Sequence, residues 1–140
     1  MSALILVVDD TPANVMLLSA KLNNEYYDVV TAEDGFQAIK QAKEHSPDLI
    51  LLDVMMPKLS GFEVCKKLRE QPATSGVILM VTALNELGDI ERAVSAGTDD
   101  FLSKPINKIE LLKRVENMLK LKGTADELER LRAYIREMDE

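Results

Sequence analysis

Short aliphatic runs of strand length alternate along the chain with longer stretches whose apolar residues recur every three or four positions, and the pair repeats five times. That order predicts an α/β fold, a parallel sheet with helices on both faces. Leu4 to Val8 is continuously aliphatic, the pattern of a strand buried on both faces. The remaining strands are expected at Asp28 to Ala32, Asp48 to Leu52, Val77 to Thr82 and Asp100 to Ser103. Thr11 followed by Pro12 marks a helix start, and Val15, Leu18 and Leu22 then set its apolar face. A second helix is expected over 35–44 with Ala38, Ile39 and Ala42 inward, and a third from about Ser60 with Phe62, Cys65 and Leu68 in line. Pro47 and Pro72 follow them as stops. The fourth, 86–96, meets a C-cap at Gly97, and the fifth begins near Lys108 with Leu112, Val115 and Leu119 on one face.

Composition places this pattern in a single ordinary domain. The chain has 140 residues, 46% hydrophobic and 29% charged, with one cysteine. Its 24 acids against 17 bases leave a net charge of −7, which repels nucleic-acid backbones and anionic lipid headgroups alike. Direct nucleic-acid or membrane binding is therefore not expected. A lone Cys65 excludes an internal disulfide and a Cys-rich zinc site, and it suits a reducing, cytoplasmic compartment. The apolar run 3–8 has no basic flank and ends in two aspartates, unlike a signal peptide or membrane span.

In an open parallel sheet, ligands bind beyond the carboxyl ends of the strands. There the expected strands end in Asp9-Asp10, Asp53, Thr82-Ala83 and Lys104-Pro105, with Asp9 and Lys104 95 positions apart. Two carboxylates about 4 Å apart repel by roughly 4 kcal/mol at an effective dielectric near 20, so three aspartates at one rim require a cation. An oxygen-only ligand set selects a hard ion such as Mg2+, with Asp10 and Asp53 as ligands. Lys104 together with a divalent ion leaves room for a bound anion, to which Thr82 can donate. A phosphoryl group suits the arrangement, since its transfer needs positioning and charge neutralisation more than covalent help. Asp53 is then the nucleophile, forming an aspartyl phosphate.

The ordered set "LILVVDD", "DLILLDVMMP", "VTA" and "DFLSKP" resembles the receiver domain of two-component response regulators over roughly residues 3 to 121. The resemblance implies a doubly wound five-stranded sheet in the flavodoxin-like order 2-1-3-4-5. It implies that Asp53 accepts phosphate from a phosphohistidine of a sensor histidine kinase or histidine phosphotransferase. Asp9 and Asp10 then form the acid pocket, Asp9 through a water, and the Met55 backbone carbonyl completes the Mg2+ shell. Thr82 matches the switch hydroxyl, Ala83 the small residue beside the phosphate, Lys104 the site lysine and Phe101 the switch aromatic. The Lys104-Pro105 bond is expected to be cis. Such a chain is no conventional enzyme; it receives phosphate and hydrolyses it slowly, because Met55 and Leu84, bordering the water path in this family, are both apolar. "VDD", "DVMMP" and Tyr26-Tyr27 look most like receivers attached to diguanylate cyclases.

Other classes fit less well. A haloacid dehalogenase type phosphatase needs an acid two residues after its nucleophile, where Met55 stands. A flavodoxin-like cofactor binder must cradle phosphate in its first loop, and Asp9-Asp10 would repel it. A docking module independent of phosphorylation is signalled by a missing acceptor or lysine, and both are present. Asp9-Asp10 alone would more often be a solvated helix entry. His45 reads as exposed and structural, Cys65 as a core thiol, and Met16, Met80 and Met118 as core.

Residues 1–122 thus read as the receiver and 123–140 as a helical extension or linker. Gly123 is expected to interrupt the fifth helix, after which Leu128, Leu131, Ile135 and Met138 fall at heptad spacings. This segment, with six acids against three arginines, suits a connector to an output domain or effector, or a phosphorylation-promoted homodimer.

Overall fold

The structure, a computed structural model, describes residues 3–25, 27–70, 76–82, 87–104 and 106–138. The elements run β1 (Leu4–Val8), α1 (Pro12–Asn23), β2 (Asp28–Ala32), α2 (Gly35–His45), β3 (Leu49–Asp53), α3 (Gly61–Arg69), β4 (Val77–Thr82), α4 (Leu87–Ala96), β5 (Asp100–Ser103) and α5 (Lys108–Met138). All strand pairs are parallel, in the order β2-β1-β3-β4-β5. This is the expected doubly wound, flavodoxin-like sheet.

Strand periodicity divides the core in two. Leu6, Val8, Ile50, Leu52, Ile78 and Met80 face α2, α3 and the end of α4. Ile5, Val7, Leu49, Leu51, Leu79 and Val81 face α1 and α5. β3 is buried at every position, as a central strand between two helical layers must be.

Several local expectations need correction. β3 starts at Leu49 rather than Asp48, because the Asp48 carboxylate accepts a hydrogen bond from the Leu4 amide at 2.8 Å and ties the strand entry to β1. At its other end Asp53 pairs in register with Val81 and so belongs to the strand. Met16 is 75% exposed rather than core. It lies about 100° around α1 from Val15, off the stripe of Val15, Leu18 and Leu22 that is buried. Thr11 occupies the N-cap position, but its side chain makes no capping bond. Gly123 does not interrupt α5, which is continuous from Lys108 to Met138. One helical glycine costs only about 1 kcal/mol relative to alanine, and the Ala, Glu, Leu and Arg residues that follow offset it.

Other boundaries agree. Asp34 caps α2 by accepting from the Gln37 amide, and Ser60 with Glu63 forms a capping box that starts α3. Gly97 follows α4 with φ +95°, the left-handed conformation that favours glycine. Among the described residues no helix is long and apolar enough to cross a membrane.

Candidate functional site

The carboxyl ends of β1 and β3, adjacent in the sheet, deliver the acids, and the residue after β5 delivers the base. Asp9 is 3% exposed. Its Oδ1 accepts from the Thr11 amide at 2.9 Å and its Oδ2 from Asn14 Nδ2 at 3.4 Å, so the first turn of α1 holds the carboxylate rather than a Thr11 cap. Asp53 is equally buried, and its Oδ1 accepts from the Met55 amide and from Lys104 Nζ, each at 3.3 Å. Lys104 Nζ also lies 3.9 Å from Asp9 Oδ2. Asp10 is exposed at the rim.

One carboxylate oxygen from each of Asp9, Asp10 and Asp53 lies within 4.8 Å of the others. Such a cluster can coordinate a divalent metal ion. Desolvation by burial, followed by repulsion from Asp9, holds the Asp53 carboxyl above the usual carboxylate range; Lys104 and the Met55 amide oppose this only in part. A single ammonium thus leaves the three acids undercompensated, and a hard cation fits the oxygen donors.

Sequence reasoning brought Asp9, Asp10, Asp53 and Lys104 to one rim, and the structure places them there. Met55 follows two residues after Asp53, its side chain 60% exposed at the mouth of the site. Thr82 ends β4 in register with Ser103, but its side chain, Ala83, Leu84 and Pro105 lie outside the described residues. Phe101 is half-buried on β5, paired with Met80. His45 is exposed at the end of α2, away from the site. Cys65 is buried, its Sγ donating to the Ala96 carbonyl, and burial pushes its thiol up to about 11.

Two participants escaped the sequence reading. Asn14 orients Asp9 from one turn into α1; its offset of five from an acid was the available signal. Gly61 lets α3 start directly against the end of β3. A Cβ at Gly61 would lie 2.3 Å from the Asp53 carbonyl oxygen and 2.7 Å from Val54 Cα, so only glycine permits this approach. Its amide donates to the Val54 carbonyl at 2.9 Å.

Beside Asp9 and Lys104 a cleft of about 240 Å³ opens, lined also by Asn14, Leu17, Lys21 and Ile106.

Residues 5–116 match the response regulator receiver domain. The chain belongs to this family. As a receiver it is a phosphoacceptor of His-to-Asp signalling rather than a conventional enzyme. It is 48% identical over 139 residues to the response regulator PleD of Caulobacter vibrioides, covering 99% of this chain and 31% of PleD. The alkaline phosphatase synthesis transcriptional regulatory protein PhoP of Bacillus subtilis is 47% identical over 120 residues, covering 86% of this chain and 50% of PhoP. The receiver thus spans half or less of these relatives' lengths. Among solved structures, the receiver domain of a Pseudomonas aeruginosa sensor histidine kinase superimposes with a TM-score of 0.79 at 31% identity, covering 86% of this chain and 99% of that one. That structure has a magnesium ion coordinated in its active site cleft.

Proposed function

We propose that Asp53 is the phosphoryl acceptor and that Mg2+ is the ion held by Asp9, Asp10, Asp53 and the Met55 carbonyl. The observation that supports this reading best is the placement of Asp53, buried at the end of the central strand and touched by Lys104 and the Met55 amide. Bound there, Mg2+ supplies neutralisation of phosphoryl oxygens. An Asp53 carboxylate oxygen attacks the phosphorus of a phosphohistidine; a P–O bond forms as the P–N bond breaks, and the bonding pair leaves with the imidazole. Lys104 remains within reach of the acceptor and pairs with the transferred group. Asn14 and the Thr11 amide keep Asp9 from turning toward solvent. Thr82, Ala83 and Phe101 form the switch that reports the added charge.

The donor is a sensor histidine kinase or a histidine phosphotransferase. Exposed Leu17, which lines the cleft beside Asp9 and Lys104, and neighbouring Met16 offer such a partner an apolar footing on α1. Residues 1–122 act as the receiver and 123–140 as a helical extension toward an output domain or effector, of the diguanylate cyclase type by sequence resemblance. The net charge of −7 disfavours direct nucleic-acid or membrane contact, and a cytoplasmic setting follows from the donor.

Incubation with acetyl phosphate and Mg2+ should add about 80 Da, one phosphoryl group on a carboxylate. Asp53→Asn should abolish the gain, while Asp10→Ala should weaken Mg2+ binding far more than Thr82→Ala. Stoichiometric labelling that persists in Asp53→Asn would assign the acceptor elsewhere.

A further inference from the structure

The seam between α2 and α3 carries charge that the fold does not use. These two helices hold five bases against two acids, in a chain whose net charge is −7. At 3.6 residues per turn Phe36, Lys40 and Lys43 fall within about 60° of one another on α2. Gln41, on the other flank, donates to the Thr31 carbonyl of the edge strand β2, so the stripe lies on the α3 side. On α3, Phe62 lies beneath Arg92 and Arg69 donates to the Gly97 carbonyl, so that flank faces α4. Lys67 lies about 150° around the helix from them, toward α2. Val64, one turn earlier on the same flank, abuts Gly35, where a Cβ would lie 2.7 Å from Val64 Cγ2. Lys58 stands at the site-side end of the seam, because Leu59 packs on Gly35, next to Phe36.

Bases in the last turn of a helix offset its macrodipole, and that accounts for Lys43 and Lys67. It does not account for the rest. Lys40 lies a turn earlier, and Lys58 precedes α3 with φ +69°, a left-handed conformation that favours glycine. Phe36 is 62% exposed. Among the described residues none of Lys40, Lys43, Lys58 and Lys67 forms an ion pair. Of the two acids, Glu63 is committed to the capping box, and Glu44 flanks Lys40 without pairing to it.

These ammonium groups are spread too widely for one small anion, since Phe36 to Lys43 alone spans roughly 10 Å along α2. A broad polyanion fits no better. A membrane or a nucleic-acid duplex would press phosphates against the surrounding surface, where the chain's excess of acids repels them. A single helix touches only the seam, sets carboxylates on successive turns and seats an apolar side chain against Phe36. We propose that the α2–α3 seam docks an acidic amphipathic helix of a partner protein. This inference does not depend on phosphoryl transfer.

A synthetic helical peptide of about 18 residues, with leucines every three or four positions and glutamates flanking them, serves as the probe. Titrated into the isotope-labelled full chain, it should shift the amides of Phe36, Lys40, Lys43, Lys58 and Lys67 most, with an affinity that falls as salt rises. Lys40→Glu combined with Lys43→Glu should weaken binding roughly tenfold or more, whereas Lys113→Glu with Lys120→Glu, the same charge change on α5, should leave it unchanged. Phe36→Ala should weaken it severalfold. Lys58→Gly should raise the melting temperature by relieving the backbone, yet weaken the peptide severalfold. Unchanged amide spectra away from each substitution show that the variants are folded. Shifts spread evenly over the surface, undiminished binding in the Lys40 and Lys43 reversal, or tighter binding of phosphatidylglycerol vesicles or duplex DNA at the same amides would overturn the proposal.

Discussion

Asp53 and Cys65 are both buried acids in different surroundings, and the difference bears on the proposed role of one and the silence of the other. Asp53 meets Lys104, the Met55 amide and two further carboxylates, so its ionised form is repelled yet within reach of cations. Without metal, ionised Asp53 strains the folded state, and Asp53→Asn removes that repulsion. In chelator at neutral pH the Asn variant should melt a few degrees above the parent, and Mg2+ should narrow the gap by stabilising the parent more. Thermal melts with and without Mg2+ test this; an Asn variant less stable in chelator would contradict it. Cys65 instead meets apolar neighbours and one carbonyl, and its thiol rises to about 11. An acid raised by folding contributes stability that is fully present below its unfolded pKa, near 9, and is lost as pH rises through about 11. At pH 8, maleimide labelling of native Cys65 should therefore be roughly a hundredfold slower than labelling of the unfolded chain. Equal rates would place the thiol at the surface.

At the scale of elements, α3 shows how a helix start can shape a site it does not enter. Its capping box sets the first turn, and Gly61 lets that turn rest on the Asp53–Val54 backbone. Gly61→Ala should cost about 3 kcal/mol in urea unfolding, since the neighbours a methyl would strike are backbone atoms that cannot swing aside. A loss under 1 kcal/mol, on the order of an ordinary surface substitution, would show that the helix shifts freely. This contact was invisible in the sequence, where Ser60-Gly61 reads only as a helix start. The strands and the rim of Asp9, Asp10, Asp53 and Lys104 were legible because a buried parallel strand must be aliphatic and its polar end must follow at once. Met16 was not, since an apolar residue one position off a stripe carries no mark of its exposure. Gly123 misled because a local preference of about 1 kcal/mol is readily outweighed along a long helix. Met55, exposed at the mouth of the site, has no group to orient water toward a phosphoryl group on Asp53. Met55→Asn combined with Leu84→Glu should shorten the phosphoryl lifetime severalfold in a mass-resolved decay, and an unchanged decay would remove Met55 from the water path.

Across the whole molecule, the proposed switch requires the site to bias a surface some distance from Asp53, and the anchoring of α4 indicates how. The carboxyl end of α4 is tied to α3: Cys65 Sγ donates to the Ala96 carbonyl, and Arg69 donates to the Gly97 and Gly76 carbonyls and pairs with Asp99. Asp99 in turn accepts from the Ile78 amide at the start of β4. The opposite end of α4 begins at Leu87, five residues after Thr82 at the carboxyl end of β4, the edge that carries the site. A phosphoryl group on Asp53 should therefore move α4 about a fixed far end. Driving a 1:99 resting population to 99:1 takes about 5.5 kcal/mol, whereas one hydrogen bond to a charged group contributes about 1.5–3 kcal/mol. In the proposed switch Thr82 alone would fall short, so Lys104 pairing and fuller burial of the half-buried Phe101 would have to supply the rest. Nuclear magnetic resonance with beryllofluoride, standing in for the phosphoryl group, should shift amides across Leu84 to Lys104, more strongly near Leu87 than at Gly97 to Asp99. Lys104→Ala or Phe101→Ala should each leave the two states mixed at saturation. Shifts confined to Asp9, Asp10 and Asp53 would show that charge at the site is not transmitted, and equal shifts at both ends of α4 would show that Arg69 and Cys65 do not hold it.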